Sequence, residues 1–506
     1  MDKGGIFLYR KRSIVYATFM LTGVHLLLRL IGTSFQVYLS GKIGPEGIGL
    51  LQLTLSAGSF AMVTGMAGIR TATMYLSAEE LGRSHPENIS WVLSGCVRYS
   101  LIAAGLTSIS LCIFAPYIAE HWIGHKEIIP SLRLFSGFLC VNCLCGVMTG
   151  YFTAKGKIGT LAAVEVSEQL FSMTVTVLCL ALWAGTDPGR ACESVIIGSG
   201  AGACMTLSAL LILRLRETSP KGEKIRIGKR LTAAAIPLAL SDVLRSGITT
   251  LENMMVPKRL AKAPGIVSAL GSFGILSGMV FPVLMFPACI LHALSDLLIP
   301  ELARCAASGN SPRIQYLASR CLGAALVYGF IFSGGMFLIS EELCVLLYNN
   351  NAAGAILKQY SLLIPMLYCD SLVDAMTKGL GQQRLCVRYN IITSALDVAG
   401  LYFLLPKLGM TGYFISFLVT HMINFLLSLR RLLLITKITI SHRKTVLCII
   451  SALICINISS VAPGSLVKVL SYPLLYCSLL SVLGVVNKQD IQWLKGFFSV
   501  NAKTAS

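Results

Sequence analysis

Charge is what this 506-residue sequence has little of. Asp, Glu, Lys and Arg make up 13% of it, against about 25% in an ordinary soluble domain. That shortage excludes a chain solvated on every side. Acid is scarcer still, with 23 Asp and Glu against 42 Lys and Arg, giving a formal net charge of +19. No long polar stretch occurs: there are short loops and a tail over 487–506, too little for a soluble catalytic domain. No Gly-x-x-x-x-Gly-Lys-[Ser/Thr] loop is present, which excludes a P-loop ATPase. No small-residue cleavage site follows the first apolar run. That run therefore reads as an anchor that starts inside, with Lys3, Arg10, Lys11 and Arg12 before it, and not as a removable signal.

What the sequence has in abundance is apolar length. Hydrophobic residues form 55% of the chain and mean hydropathy is +0.74. About fourteen apolar segments of roughly 16–30 residues follow one another, from about 15–39 to about 466–486, each enough to span a hydrocarbon core of ~30 Å. In lipid such segments must be helices, because each backbone group has to pair within its own segment. An all-α polytopic membrane fold is expected. The basic excess follows from this topology and does not point to nucleic acid. With fourteen spans and both termini cytoplasmic, about 29 of the Lys and Arg fall on the cytoplasmic side and about 9 outside. The densest cluster runs from Arg214 to Arg230, a topology anchor over anionic headgroups or a docking loop. Lys258, Arg259 and Lys262 fall outside and break the rule.

Two patterns look like chemistry and read as packing. The 17 cysteines are scattered through apolar spans, where a free thiol behaves as a small hydrophobe; this holds for the Cys140-Val-Asn-Cys143 pair as well. His121 and His125 have metal-ligand spacing but no clear third ligand. No metal and no cofactor is expected.

An internal repeat organises the chain. The segment Gly150–Lys157 and the segment Asp374–Arg384 each precede an apolar span, and aligning Gly156 with Gly381 gives an offset of 225. The same offset places Gly49-Leu50-Leu51-Gln52 on Gly274-Ile275-Leu276-Ser277. The expected domains are an N-lobe over 1–214, a basic linker over 215–230, a C-lobe over 231–429, two further helices over 430–486 and a cytoplasmic tail over 487–506. Transporters built from parallel repeats bind between the halves and alternate access. Gly198-Ser199-Gly200-Ala201-Gly202 offers a small-residue face for close helix contact, and Pro282 and Pro287 break the eighth span, as static kinks or as a hinge.

The charges inside the spans are the functional signal. Arg29 lies in mid-span, at a cost of about 2.5–3.5 kcal/mol on insertion scales. Thr22, His25, Arg29 and Gln36 fall near one helical face, which suits a water-filled cavity. Arg245 occupies the seventh span, the counterpart of the first. Two cationic helices of this kind suit a diphosphate. The alternative is internal pairing, of Arg29 with Glu165 or Glu168 and of Arg245 with Asp242. Arg98 and Arg133 lie nearer helix ends, where they snorkel or enter the same cavity. The acids at depth, Glu165 and Glu168, Asp242 and Glu252, Asp370 and Asp374, and Asp397, are of the kind that couples transport to Na⁺ or H⁺, and Asn390 with Ser394 one turn later offers oxygen ligands for Na⁺ together with an acid from the seventh span.

These motifs resemble a known family. Arg29-x-x-Gly32 followed by Gly41-x-x-Gly44-x-x-Gly47-x-Gly49-Leu50-Leu51-Gln52 is similar to the opening of the polysaccharide-transporter branch of the MOP flippase superfamily. The run Ala269–Met279, with Pro282, Pro287 and Leu298-Ile299-Pro300-Glu301, resembles its sporulation-associated members, as do Gly150-Tyr151-Phe152 and Gly379-Leu380-Gly381-Gln382. The resemblance implies two six-helix lobes in a V, plus two C-terminal helices. It implies a non-enzymatic flippase for undecaprenyl-diphosphate-linked oligosaccharide in the cell membrane, for these members a peptidoglycan precursor of the spore cortex. Its partners would be the lipid-linked substrate and membrane lipids, with no nucleic acid, and the protein would act as a monomer. The related lipid II flippases have cavity arginines, matched by Arg29, and a Na⁺ site on helices seven, eleven and twelve. Asn390 matches that site's asparagine, but Ser394 stands where it has an acid. The competing readings are a multidrug exporter of the same superfamily, for which a cation cargo would favour an acidic cavity, and a membrane glycosyltransferase, for which the external loops are short.

Overall fold

The computed structural model describes residues 3–82, 86–185, 187–217, 227–439 and 441–486. Most of the expected linker, including Lys221, Lys224 and Arg226, lies outside the described residues, as do the tail over 487–506 and the side chain of His25. Among the described residues there is no strand. The first eight α-helices are α1 (Lys3–Met66), α2 (Ile69–Gly82), α3 (Ile89–Tyr117), α4 (Ile129–Ala154), α5 (Ile158–Cys179), α6 (Pro188–Leu215), α7 (Gly228–Leu260) and α8 (Ala269–Gly274). Then come α9 (Phe281–Met285), α10 (Ala288–Ala307), α11 (Ser311–Tyr348), α12 (Asn351–Ser361), α13 (Ile364–Gly379), α14 (Gln383–Thr436), α15 (His442–Ser460) and α16 (Ser465–Val482).

Ten of the described helices are long and apolar enough to cross a membrane, and the bent pair 269–285 and 288–307 makes eleven. Two of the ten hold two passes each. A 54-residue helix such as α14 extends about 80 Å at 1.5 Å per residue, more than twice the hydrocarbon thickness. Its turn-round is at Gly409 (φ 57, ψ −134), just after Pro406. In α1 the corresponding break is Gly44 (φ 69, ψ 178), followed by Pro45. Glycine reaches such backbone without steric cost, and the neighbouring prolines discourage an unbroken helix. With α12 and α13 as one interrupted pass, the protein is a multi-pass, all-helical membrane protein with the expected complement of about fourteen spans.

Contacts gather the chain into two compact units, Met1–Val37 with Ile275–Ser506, and Tyr38–Gly274. The first helical pass thus counts with the second half of the sequence and α7 with the first half. Contacts and the sequence repeat divide the chain differently.

In the unit Tyr38–Gly274, α5 and α6 approach closely because Gly198 leaves room for the Thr176 side chain and the Ser172 carbonyl, while Gly200 lies against the ring of Phe138. This is the small-residue face expected from 198–202. Gly49 and Gly274 also meet. A Cβ on Gly49 would strike the carbonyl of Leu270, and one on Gly274 would strike the carbonyl of Pro45. Gly49 and Gly274 are 225 residues apart, and so are Pro45 and Leu270. The contact is reciprocal, of the kind that a two-fold pairing makes.

In the other unit the chain breaks at the predicted prolines. A π-helical turn over Ile275–Val280 leads into α9, and the chain bends by 61° before α10. Pro282 has no N–H for the carbonyl of Gly278. Gln36 Nε2 donates to that carbonyl instead, at 3.1 Å. Tyr348 Oη donates to Met279 O at 3.2 Å, Tyr368 Oη to Leu284 O at 2.9 Å and Tyr328 Oη to Pro287 O at 2.7 Å. On the far side of α11, Gly334 makes room for the ring of Tyr472 from α16, whose hydroxyl donates to Phe330 O at 2.8 Å.

Tyr368→Phe leaves the Leu284 carbonyl without its side-chain donor and should destabilise the protein by about 1 kcal/mol. Unfolding followed by thiol-reactive dye is the measurement, since many of the cysteines are buried. An unchanged melting profile would show that the carbonyl needs no such donor.

Candidate functional site

In the unit Tyr38–Gly274 the candidate charges lie on α7. Asp242 and Arg245 are both exposed, and among the described residues neither forms an ion pair, so the three-residue spacing does not produce the pairing it permits. Thr249 Oγ1 donates to Arg245 O at 3.2 Å. Glu252 is half-buried farther along the helix. Glu165 and Glu168 are half-buried on α5, and Glu168 accepts from Thr206 Oγ1 of α6 at 2.7 Å. Glu168 thus serves helix packing.

In the other unit Arg29 is exposed on α1. Among the described residues it has no ion-pair partner. Gln36, two turns on, commits an N–H to Gly278, a structural task that its place on the polar face of the span did not reveal. Asn390 and Ser394 are half-buried on α14. Asp397, only 5% exposed, accepts from Ser416 Oγ at 2.7 Å and from Thr420 Oγ1 at 3.1 Å. This carboxylate fastens the first half of α14 to the second.

Sequence reasoning passed over a polar stripe on the second half of α14. Ser416, Thr420, Asn424 and Ser428 recur every fourth residue and are all buried; that spacing in an apolar helix was the available signal. Asn424 Nδ2 donates to Asp370 Oδ2 at 3.3 Å, while Asp370 Oδ1 and Asn424 Oδ1 are buried without a partner. A proton or a small cation would satisfy these acceptors. Farther along, Arg431 donates to Gln382 Oε1 at 2.7 Å, and Lys378 pairs with Asp374 at 2.5 Å.

The basic clusters are partly spoken for. Glu217 accepts from Lys155 at 2.6 Å and also from Lys157 and Tyr151. Burial alone would push its carboxyl up, but these donors outweigh burial and hold it down at about 2. Arg230 bridges Glu79 at 2.8 Å and Glu80 at 2.9 Å. Lys258, one of the cations that break the charge rule and here in the last turn of α7, donates to the carbonyl of His121, whose ring stacks on Tyr117 at 4.7 Å. Among the described residues no three His, Cys, Asp or Glu side chains gather as metal ligands, and all 17 cysteines are free.

A family model described as "Polysaccharide biosynthesis protein" matches residues 14–306, more than half of the chain. The chain belongs to this family. It is 22% identical to stage V sporulation protein B of Bacillus subtilis (strain 168), over 89% of each protein. It is also 22% identical to sporulation protein YkvU of the same organism, over 63% of this chain and 72% of that protein. Among solved structures it resembles the lipid II flippase MurJ in an inward closed conformation, with TM-score 0.67, 15% identity and coverage of 92% of this chain and 98% of that one. It also resembles an inward-facing multidrug resistance MATE family transporter of the MOP superfamily, with TM-score 0.66, 13% identity and coverage of 83% and 100%. Family and fold are those of membrane transporters and not of enzymes, and they agree with the resemblance read from the glycine and proline motifs.

Two features of this family member invite direct tests. The depressed Glu217 carboxyl contributes stability that is present above the unfolded value near 4.3 and is lost as pH falls towards about 2. Glu217→Gln should therefore melt below the parent at neutral pH, with the gap closing as pH falls through that window. A gap that does not change with pH would show that Glu217 acts through packing alone. Asp397→Val takes from Ser416 its short acceptor, while Thr420 keeps the Ser416 carbonyl at 2.9 Å, and should cost about 1–3 kcal/mol; Asp397→Asn keeps an acceptor and should cost less, and denaturation of the two variants side by side checks the order.

Proposed function

We propose that this protein is a flippase that carries an undecaprenyl-diphosphate-linked oligosaccharide from the inner to the outer leaflet by alternating access. The observation that carries this reading is a pair of membrane-depth arginines, Arg29 and Arg245, with no ion-pair partner among the described residues. A guanidinium at that depth persists when something anionic meets it, and its fork of donors matches the oxygens of a diphosphate. Each arginine serves as a phosphate ligand; of the other two candidates, Gln36 lies two turns on from Arg29 along α1, and the side chain of His25 lies outside the described residues. Family membership supports a polyprenyl-linked glycan as cargo. The likeness to stage V sporulation protein B supports a peptidoglycan precursor for the spore cortex.

The energy source is a Na⁺ or H⁺ gradient. Asp242 and Glu252 on α7, Asn390 and Ser394 on α14, and the Asp370–Asn424 pair are the candidate coupling groups, with Glu165 as a further charge partner, while Asp397 and Glu168 are held by the hydroxyls that donate to them. The lobes over 1–214 and 231–429 are the moving parts, and α15 and α16 extend the surface available to a long prenyl tail. The positive-inside distribution supports both termini on the cytoplasmic side of the cell membrane. The protein works as a monomer. A multidrug exporter of the same fold fits less well, since a cationic drug is repelled by unpaired arginines.

In proteoliposomes, Arg29→Ala and Arg245→Ala should each slow translocation of an undecaprenyl-diphosphate-linked saccharide by about tenfold or more, the loss expected for a charged hydrogen bond. Unchanged rates in both variants would overturn the diphosphate assignment. Complementation of a sporulation-defective deletion strain, read as cortex formation, tests the cargo.

A further inference from the structure

Within the unit Tyr38–Gly274, α1 and α7 meet along a seam that is polar where packed helices are ordinarily apolar. From α1 come Gln52, Leu55, Ser56 and Ser59. From α7 come Ser246, Thr249, Thr250 and Asn253. Both sets fall at i, i+3, i+4 and i+7, the spacing of one helical face, so the sequence aims two largely polar faces at each other. They line an open cleft of about 210 Å³.

The seam is held open by its own bonds. Asn253 Nδ2 donates to Ser56 Oγ at 3.1 Å, and Thr250 Oγ1 donates to Ser56 O at 3.2 Å. Ser56 and Thr250 are buried at 9% and 6% exposure, whereas Ser59 and Thr249 are exposed at the mouth. Threonine hydroxyls that donate to backbone keep lone pairs with which to accept, and the amides of Gln52 and Asn253 offer both donors and an acceptor.

We propose that this cleft is a sugar subsite, which takes the first ring of a lipid-linked glycan. The lining has no charged side chain, so it does not suit a phosphate. It mixes donors and acceptors evenly, as a polyol requires, and Leu55 supplies one apolar wall for a ring's C–H face. Its volume is below the ~300–1,000 Å³ of drug-sized sites and holds about seven waters, which suits a single ring. Arg245 precedes Ser246 and lies one turn, about 6 Å, before Thr249. A sugar in the cleft would thus hold its glycosidic diphosphate beside that arginine. The proposal rests on the flippase reading for Arg245 and adds to it the part of the cargo that is uncharged.

The test uses the full chain in lipid nanodiscs with three probes: undecaprenyl diphosphate, the same lipid carrying one N-acetylhexosamine, and the free N-acetylhexosamine. The sugar-bearing lipid should bind about tenfold tighter than the bare diphosphate, as one or two hydroxyl contacts provide. Thr249→Val keeps shape and loses only a hydroxyl that donates within its own helix; it should remove most of that preference, and Ser246→Ala part of it. Arg245→Gln should weaken both lipids alike. Equal binding of the two lipids would overturn the sugar subsite and leave the flippase reading standing. A preference untouched by both cleft variants would overturn this location. Free sugar competing as strongly as the lipid-linked one would overturn the lipid-borne source. Binding of neither lipid would overturn the flippase reading and the subsite with it.

Discussion

A carbonyl in hydrocarbon has to find a donor, and the pass formed by α8, α9 and α10 cannot supply all of its own. Two prolines remove amide hydrogens from the stretch, and a π-helical turn shifts the register before them. Gln36 on α1 supplies the donor that Pro282 lacks, and the hydroxyls of Tyr328 and Tyr348 on α11 and Tyr368 on α13 add donors to three further carbonyls of the pass. One broken helix thereby fastens itself to three others. Straightening it would strand four polar side chains, and removing it would leave them with nothing to hold. The hydrophobic effect cannot do this work, because lipid tails are as apolar as leucine.

The two kinds of polar group inside the spans behave differently. Asp397, Ser416 and Thr420 satisfy one another and are buried; they specify how α14 folds back on itself. Arg29, Asp242 and Arg245 are exposed and without ion pairs among the described residues. Closed polar networks serve structure and open ones are available to ligands, and by that criterion the carboxylate of Asp397 falls to the fold while the arginines stay open to a ligand.

Much of this was legible in the sequence. Apolar length gave the spans, because lipid forces helix on any segment that long. The small residues at 198–202 and the prolines at 282 and 287 gave a close contact and a break, since each acts through its own backbone. What stayed hidden depends on a partner. Gln36 shares a helical face with Arg29, and nothing in that face says that it serves a carbonyl 242 residues away. Asp397 looks like a coupling acid until its two hydroxyl donors are seen. The seam between α1 and α7 was readable as two i, i+3, i+4, i+7 patterns, polar at every position but Leu55, but only their juxtaposition makes it a cleft.

The glycine pair bears on how such a chain came to exist. Gly49 meets the segment of Gly274 in the same way that Gly274 meets the segment of Gly49. In a half-length ancestor pairing with its own copy, one codon would have written both sides of that contact, and any side chain there would have appeared twice at the axis. Once the halves are joined, each codon drifts alone. The surrounding letters have drifted, with Gln52 set against Ser277, yet both glycines stand, because neither side of a backbone-to-backbone contact can compensate for bulk on the other.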